Sequence, residues 1–291
     1  MHPPHPQHYF GQMYNTRFFL FILCLLPALI TSISSEGQPG YSVVSDRFFF
    51  RSADPSGDSS SAFVSSPNWF AIPTETGQAQ VGLVNRFGMA GLNEMVIGWM
   101  RPLGNGSFRL DGLTSGDADF RQATMQAGIS KRISKSFWFG SSLGLGVTGV
   151  RGYGTRWAPA VSVGVGGKLG EKIFWGSCWE NPQIMFTAKG LLGSHPGRIR
   201  GGMVYHYSSA VEFYVGMGWE SGMATSSYLR VGYRLSPIWK LALGYGWQPD
   251  QIILSVQRWI RNGYLQVGFS QDPVLGSSFA FSVSRHLKEK K

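Results

Sequence analysis

Charge is scarce in this chain. Asp, Glu, Lys and Arg make up 14% of its 291 residues, against about 25% in an ordinary soluble domain. Acids are the scarcer sign: 16 Asp and Glu stand against 26 Lys and Arg, for a formal net charge of +10. The basic residues are scattered and form no dense patch, which argues against nucleic acid as a partner. Cysteine is nearly absent too. Cys24 sits in an apolar leader, so the rest of the chain keeps only Cys178. One thiol makes neither an internal disulfide nor a zinc site. Beyond the leader the histidines are His195, His206 and His286. Ser284 and His286 share one face of an alternating segment, beside the basic tail. A serine nucleophile needs a base and an orienting group held together, and no such set stands out. The expectation is a protein that is not an enzyme and uses no cofactor or metal.

Long apolar runs are also missing, with one exception. Phe18 to Ile33 is an apolar run, preceded by Arg17, broken by Pro27, with the small residues Ser32, Ser34 and Ser35 at its exit. A positive start, a short apolar core and a small-residue exit describe a secretory signal. Residues 1–35 are therefore expected to be removed on export, and Met13 is an alternative start. No later segment reaches the roughly 18 apolar residues of a spanning helix. The exported chain is then periplasmic, secreted, or a membrane barrel.

Glycine (39 residues) and aromatics (14%) are abundant. From about residue 78 onward they are arranged with period two. Val211, Phe213, Val215, Met217 and Trp219 alternate with Glu212, Tyr214, Gly216, Gly218 and Glu220. Leu229, Val231, Tyr233 and Leu235 alternate with Arg230, Gly232 and Arg234; Trp239, Leu241, Leu243, Tyr245 and Trp247 alternate with Lys240, Ala242, Gly244 and Gly246. Strand side chains point to opposite faces in turn, so each segment has one greasy face. About fourteen such segments begin near residues 78, 91, 106, 120, 136, 157, 172, 197, 210, 226, 238, 250, 262 and 277. A soluble sandwich usually carries charge on its second face, whereas here that face is glycine and serine. In lipid every backbone group must pair within the protein, so a spanning sheet has to close. The expected fold is all-β: a transmembrane antiparallel barrel of about fourteen strands, over residues 76–291, in a bacterial outer membrane. The turns at the end holding the termini are expected to be short, and the opposite loops longer, above all Pro182 to Gly197.

Residues 36–75 show no alternation and are rich in Ser, Gly and Pro. They read either as a disordered leader or as a stopper that enters the lumen. Gly144 to Gly149 matches GxGxxG, but it lies inside an alternating segment with no helix after it, so it is not a dinucleotide site. Its glycines let bulky lumen groups approach the wall. On the inward faces, Arg230, Arg234 and Lys240 come from neighbouring segments, and Arg198 and Arg200 join them. Two readings stand: a network balanced by Glu212, Glu220 and Asp111, or a cationic surface that attracts anions or an acidic plug.

Several short motifs occur in order: NRFGMAGLNE (Asn85 to Glu94), GYG (Gly152 to Gly154), WENP (Trp179 to Pro182) and DPVLGSS (Asp272 to Ser278). With these, residues 60 to 291 resemble the PorV-like outer-membrane proteins of Bacteroidota, distant relatives of the FadL fatty-acid channels. Where relatives carry Asn-Pro-Ala-Gly-Leu or Asn-Gln-Ala-Gly-Leu before the first strand, this chain has Ser66-Pro67-Asn68-Trp69-Phe70-Ala71. The resemblance implies a fourteen-strand barrel that serves type IX secretion as a shuttle, accessory or plug subunit, with a translocon or secreted cargo as partner. The alternative it implies is a FadL-like channel for hydrophobic small molecules. The loop residues Ile184, Met185, Phe186, Leu191 and Leu192 offer an apolar contact for a protein partner. The lumen faces, read as Gly, Ser, Gln, Tyr and Arg, speak against an apolar ligand pocket. Outer-membrane lipid is the remaining expected partner.

Overall fold

The computed structural model describes residues 77–89, 93–181, 197–220, 225–247 and 250–287. The expected leader, the segment 36–75 and the loop residues Ile184, Met185, Phe186, Leu191 and Leu192 lie outside them. None of the described residues is helical. They form fourteen strands: β1 (Gly77–Asn85), β2 (Asn93–Leu103), β3 (Gly106–Gly116), β4 (Phe120–Ser134), β5 (Phe137–Val150), β6 (Gly154–Leu169) and β7 (Ile173–Glu180). The second half is β8 (Arg198–His206), β9 (Val211–Glu220), β10 (Ser226–Ser236), β11 (Trp239–Trp247), β12 (Gln251–Ile260), β13 (Gly263–Asp272) and β14 (Gly276–Leu287). Every strand begins within three residues of the position read from the alternation.

Each strand pairs antiparallel with its neighbours in the chain, and β1 closes the circle on β14, from Gly77↔Leu287 to Asn85↔Phe279. Closure satisfies the ladder of every strand and leaves no edge for lipid to meet. The stagger is regular. From Lys131 the pairing runs through Phe139 to Val165 on β6; two residues on, Gly167 leads through Trp175 to Met203 on β8. The same two-residue step recurs on each even strand until the circuit returns to Lys131. That stagger gives a strand tilt of roughly 35° and a backbone diameter of roughly 26 Å.

The two faces follow the alternation. Lipid-facing side chains are apolar and exposed, as at Leu83, Met125, Leu143, Val215, Leu243 and Phe281. Lumen-facing ones are mostly polar and buried, as at Gln78, Ser142, Ser162, Gln257 and Ser282. A soluble protein has the reverse pattern, so this is a membrane-spanning barrel. Aromatics ring both ends: Tyr205, Tyr207 and Phe213 pack together at one, and Tyr245 and Trp247 pair at the other.

The end holding Gly77 and Leu287 (the terminal end) has turns of two to four residues, as expected. The opposite loop end is more mixed. Loops 117–119, 151–153, 248–250 and 273–275 span three residues each, so the expected length asymmetry holds only for 86–92, 181–197 and 221–225. For 117–119 and 151–153 the reason is strand length: β4, β5 and β6 run 15, 14 and 16 residues, beyond the 9–11 that cross a bilayer. There the ladder itself extends out of the membrane and needs little loop. The short motifs shape this end. Asp272 accepts two backbone N–H bonds, from Val274 and Leu275, at 2.8 Å each. Asn181, with φ of 49°, accepts a bond from the Val161 N–H at 3.0 Å. Asn85 donates to Asn93 at 2.7 Å across the β1–β2 loop.

Candidate functional site in the barrel lumen

The lumen has two unlike walls. On the first, β5, β7, β8 and β9 each turn one apolar or aromatic side chain inward. Trp138, Phe174, Val204 and Tyr214 form a buried cluster, and Tyr228 of β10 packs against it. The register brings them together: Phe174 pairs with Val204, and Val204 with Tyr214. The Tyr214 and Tyr228 rings stack at 5.3 Å with 17° between planes, and their hydroxyls lie 2.9 Å apart. Glycine makes this possible. A Cβ on Gly216 would lie 2.4 Å from the Tyr228 ring, so the ring can lie flat on the wall only over a glycine. Gly202 does the same under the Tyr214 hydroxyl, at 2.8 Å.

Beside this cluster, at the depth of Trp138 and Phe174, lie the charges. Lys240 of β11 forms an ion pair with Glu212 of β9. His206 Nδ1 stands 3.9 Å from the same carboxylate, and its ring meets Phe174 edge-on at 5.5 Å. Arg234 lies over the Trp259 ring at 5.5 Å from its centroid. Arg230 lies between, opposite Tyr214, and both arginines act electrostatically on Lys240. A Cβ on Gly232 would lie 2.8 Å from Glu212, so this carboxylate also rests on a glycine.

The five basic residues singled out from the sequence therefore fall into two groups. Arg230, Arg234 and Lys240 gather around Glu212. Arg198 and Arg200 pair with Glu180 instead, at 3.6 and 3.9 Å. Arg200 is in register, through Gly218, with Ser226, four residues before Arg230 on β10. That places the two groups about 13 Å apart along the strand direction. Asp111, expected as a counter-charge to the cluster, is engaged elsewhere: both its oxygens accept from Arg109 Nε, at 2.8 and 3.0 Å.

The second wall, from β12 round to β4, is mostly neutral and hydrogen-bonded. Gln78 donates to Ser284, and the Tyr264 hydroxyl donates to Gln80 at 3.3 Å. Ser107 and Ser130 bond at 2.7 Å, and Ser142 donates to Gln126 at 3.0 Å. Gln257 is fully buried with no partner for either amide atom. Ser284 thus serves this network. Gly144, from the GxGxxG match, is inside β5, where a Cβ would collide with Gln126 and the Met125 carbonyl.

Sequence reasoning missed three features. Phe174 and Val204 lie on inward-parity positions of the short strands β7 and β8, and counting parity from Gly176 and Gly202 finds them. The buried pair of Arg86 and Glu94 bridges the start and end of the β1–β2 loop; its signal is an Arg and a Glu framing the NRFGMAGLNE motif. Arg198, from the far wall, also acts electrostatically on Glu94. The expectation of a lumen without apolar surface is corrected by the aromatic cluster.

No protein-family profile matches the chain, and no curated protein sequence is similar to it. Solved structures are. The toluene transporter TodX of Pseudomonas putida superposes with a TM-score of 0.59 at 11% identity, over 88% of this chain and all of that one. The CymD monoaromatic hydrocarbon channel gives 0.55 at 10% identity, over 74% and 89%. A FadL homologue of Pseudomonas aeruginosa gives 0.52 at 10%, over 77% and 92%. At such identities the likeness establishes a shared fold.

Proposed function

We propose that this protein is an outer-membrane channel that binds and passes hydrophobic small molecules and catalyses no reaction. The observation that carries this reading is the aromatic cluster on the lumen wall. Ligand sites are mostly apolar, with a few placed polar groups that orient the ligand. Trp138, Phe174, Tyr214 and Tyr228 offer stacking faces, and Arg230, Arg234 and Lys240 flank them with positive charge. The fold shared with two hydrocarbon channels and a FadL homologue supports the same reading. In it, residues 1–35 act as the export signal that delivers the chain to the outer membrane.

The test is uptake. In a Gram-negative host without its own hydrocarbon channel, this protein should raise entry of a radiolabelled monoaromatic compound. Combined Trp138→Ala and Tyr228→Ala substitution should cut that gain at least severalfold while the barrel still inserts. Uptake equal to that of cells without the protein would refute the proposal.

A second reading keeps a protein partner, as in type IX secretion. Tyr153 and Val274 favour it: both are apolar, at the loop end, and more than four-fifths exposed. The loop with Ile184, Met185, Phe186, Leu191 and Leu192 belongs to this reading as its contact surface. Gentle purification from native membranes distinguishes the two, by co-purified surface proteins or by bound hydrophobic ligand.

A further inference from the structure

We propose that the lipid-facing side of the terminal end carries a binding arc for anionic phospholipid headgroups, built from Arg258, Arg285, Arg101 and Lys131. The inference is independent of what the lumen carries. It begins with an imbalance. Among the described residues, exposed Lys and Arg at the terminal end number eight, the four named and Arg132, Lys135, Lys172 and Arg261, against one exposed acid, Glu171. At the loop end three exposed basic residues (Arg121, Arg151, Arg156) meet three exposed acids (Asp117, Asp119, Asp250).

Register then shows that the four are level. Arg258 pairs through Leu265 with Val283, and Arg285 is two residues further on. Arg285 pairs through Ala79 with Trp99, and Arg101 is two further. Arg101 pairs through Phe108 with Ile129, and Lys131 is two further. Two residues per two strands is the step that the barrel's tilt needs to stay at one height. The cations therefore lie at one depth in the membrane, about 12 Å apart. The same line continued round the other half meets Gly167, Tyr205 and Tyr233, none of them charged. The arc thus covers half the circumference, from β12 to β4.

Their direction selects the partner. All four occupy lipid-facing positions, next to exposed apolar residues nearer the rim, Ile260, Leu103 and Ile133. A soluble protein docking on the end of the barrel would meet the turns first. A headgroup phosphate lies beside the barrel, where these side chains point. Arg258 also lies over the exposed Trp239 ring, 5.3 Å from its centroid; tryptophan settles at the headgroup level. Guanidinium groups bind phosphate oxygens by paired, charge-assisted hydrogen bonds.

The experiment is native mass spectrometry of the full chain in mild detergent, titrated with phosphatidylglycerol or phosphatidylcholine. The wild type should retain phosphatidylglycerol preferentially. Each charge removed by Arg101→Gln, Lys131→Gln, Arg258→Gln or Arg285→Gln should lower that preference by about fivefold. The loop-end set Arg121→Gln, Arg151→Gln and Arg156→Gln should leave it unchanged. Heat-dependent gel mobility reports folding of every variant, and Arg101→Lys, Arg258→Lys and Arg285→Lys should keep most of the preference if the fourfold glutamine chain fails to fold. Equal retention of both lipids by the wild type would overturn the proposal. So would a preference that survives all four glutamine substitutions, or an equal loss in the loop-end set. A fourfold variant that loses an acidic soluble partner while keeping its lipid preference would make the arc a protein-docking surface and would also overturn it.

Discussion

The two lumen walls have the same backbone and opposite contents. From β5 to β11 the inward positions hold rings stacked over glycines, with a Lys–Glu pair and two arginines beside them. From β12 round to β4 they hold mainly amides and hydroxyls that bond to one another, with Arg109 and Asp111 paired among them on β3. The stagger between strands is the same on both, so the difference resides chiefly in side chains. The first wall depends on partners that must both be present, because a charge taken out of water needs its counter-charge. The second depends on many weak neutral bonds, each of which is dispensable.

This contrast is breakable. The largest effect is expected at the ion pair. Glu212→Gln removes the counter-charge of buried Lys240 and should cost about 3 kcal/mol, read as the urea midpoint of the heat-modifiable band. Replacing both, as Glu212→Gln with Lys240→Met, should recover most of that loss. If Glu212→Gln alone leaves the midpoint unchanged, the pair is not what holds this wall. Next comes the ring stack. Gly216→Ala puts a Cβ where the Tyr228 ring lies. The displaced ring forfeits its stacking and its hydroxyl bond, about 2 kcal/mol together. Gly201→Ala, whose Cβ would meet nothing closer than 3.5 Å, is the matched control. On the neutral wall the expected effect is small and of the other sign. Gln257→Leu exchanges an amide without partners for an apolar side chain, and stability should hold or rise by up to about 1 kcal/mol. A loss above that would show Gln257 to be bonded and the second wall to be as exacting as the first.

The smallest effect lies outside both walls, as a reference for the membrane-exposed ends. In the 117–119 loop the Asp117 carboxylate accepts N–H bonds from Phe120 and Asp119, at 2.9 Å each. Those bonds, that from Phe120 foremost, hold its pKa below the ordinary carboxylate value. A depressed folded-state pKa gives order that is complete above the unfolded value, near 3.9, and is lost as pH falls through the folded one. The protection of amides in this loop, taken relative to their intrinsic exchange rates at each pH, should therefore be full at neutral pH and fall only in acid, and Asp117→Asn should flatten that dependence. Acid sensitivity unaltered by the substitution would assign it to another group.

Much of this was legible in the residues. Period-two alternation is local, so strand positions came within three residues, and the greasy and polar faces fell as read. Arg230, Arg234 and Lys240 were legible as one group because β10 and β11 are consecutive. Arg198 and Arg200 were not separable from them, since their distance depends on stagger across four strands. Phe174 and Val204 went unread because β7 and β8 are short, with 8 and 9 residues, so few alternations mark their inward faces.

The chain's own pattern determined that it is a barrel: alternating apolar residues with no spanning helix permit only a closed sheet in lipid. It also determined which side chains face inward, because parity is a property of one strand. What only the tertiary structure decided is who meets whom. Lys240 finds Glu212 two strands away, Tyr228 lies over Gly216, and four cations on four strands share one depth. Each depends on register and tilt, and these are set when the whole circle closes, since a single strand carries no information about its neighbours' stagger.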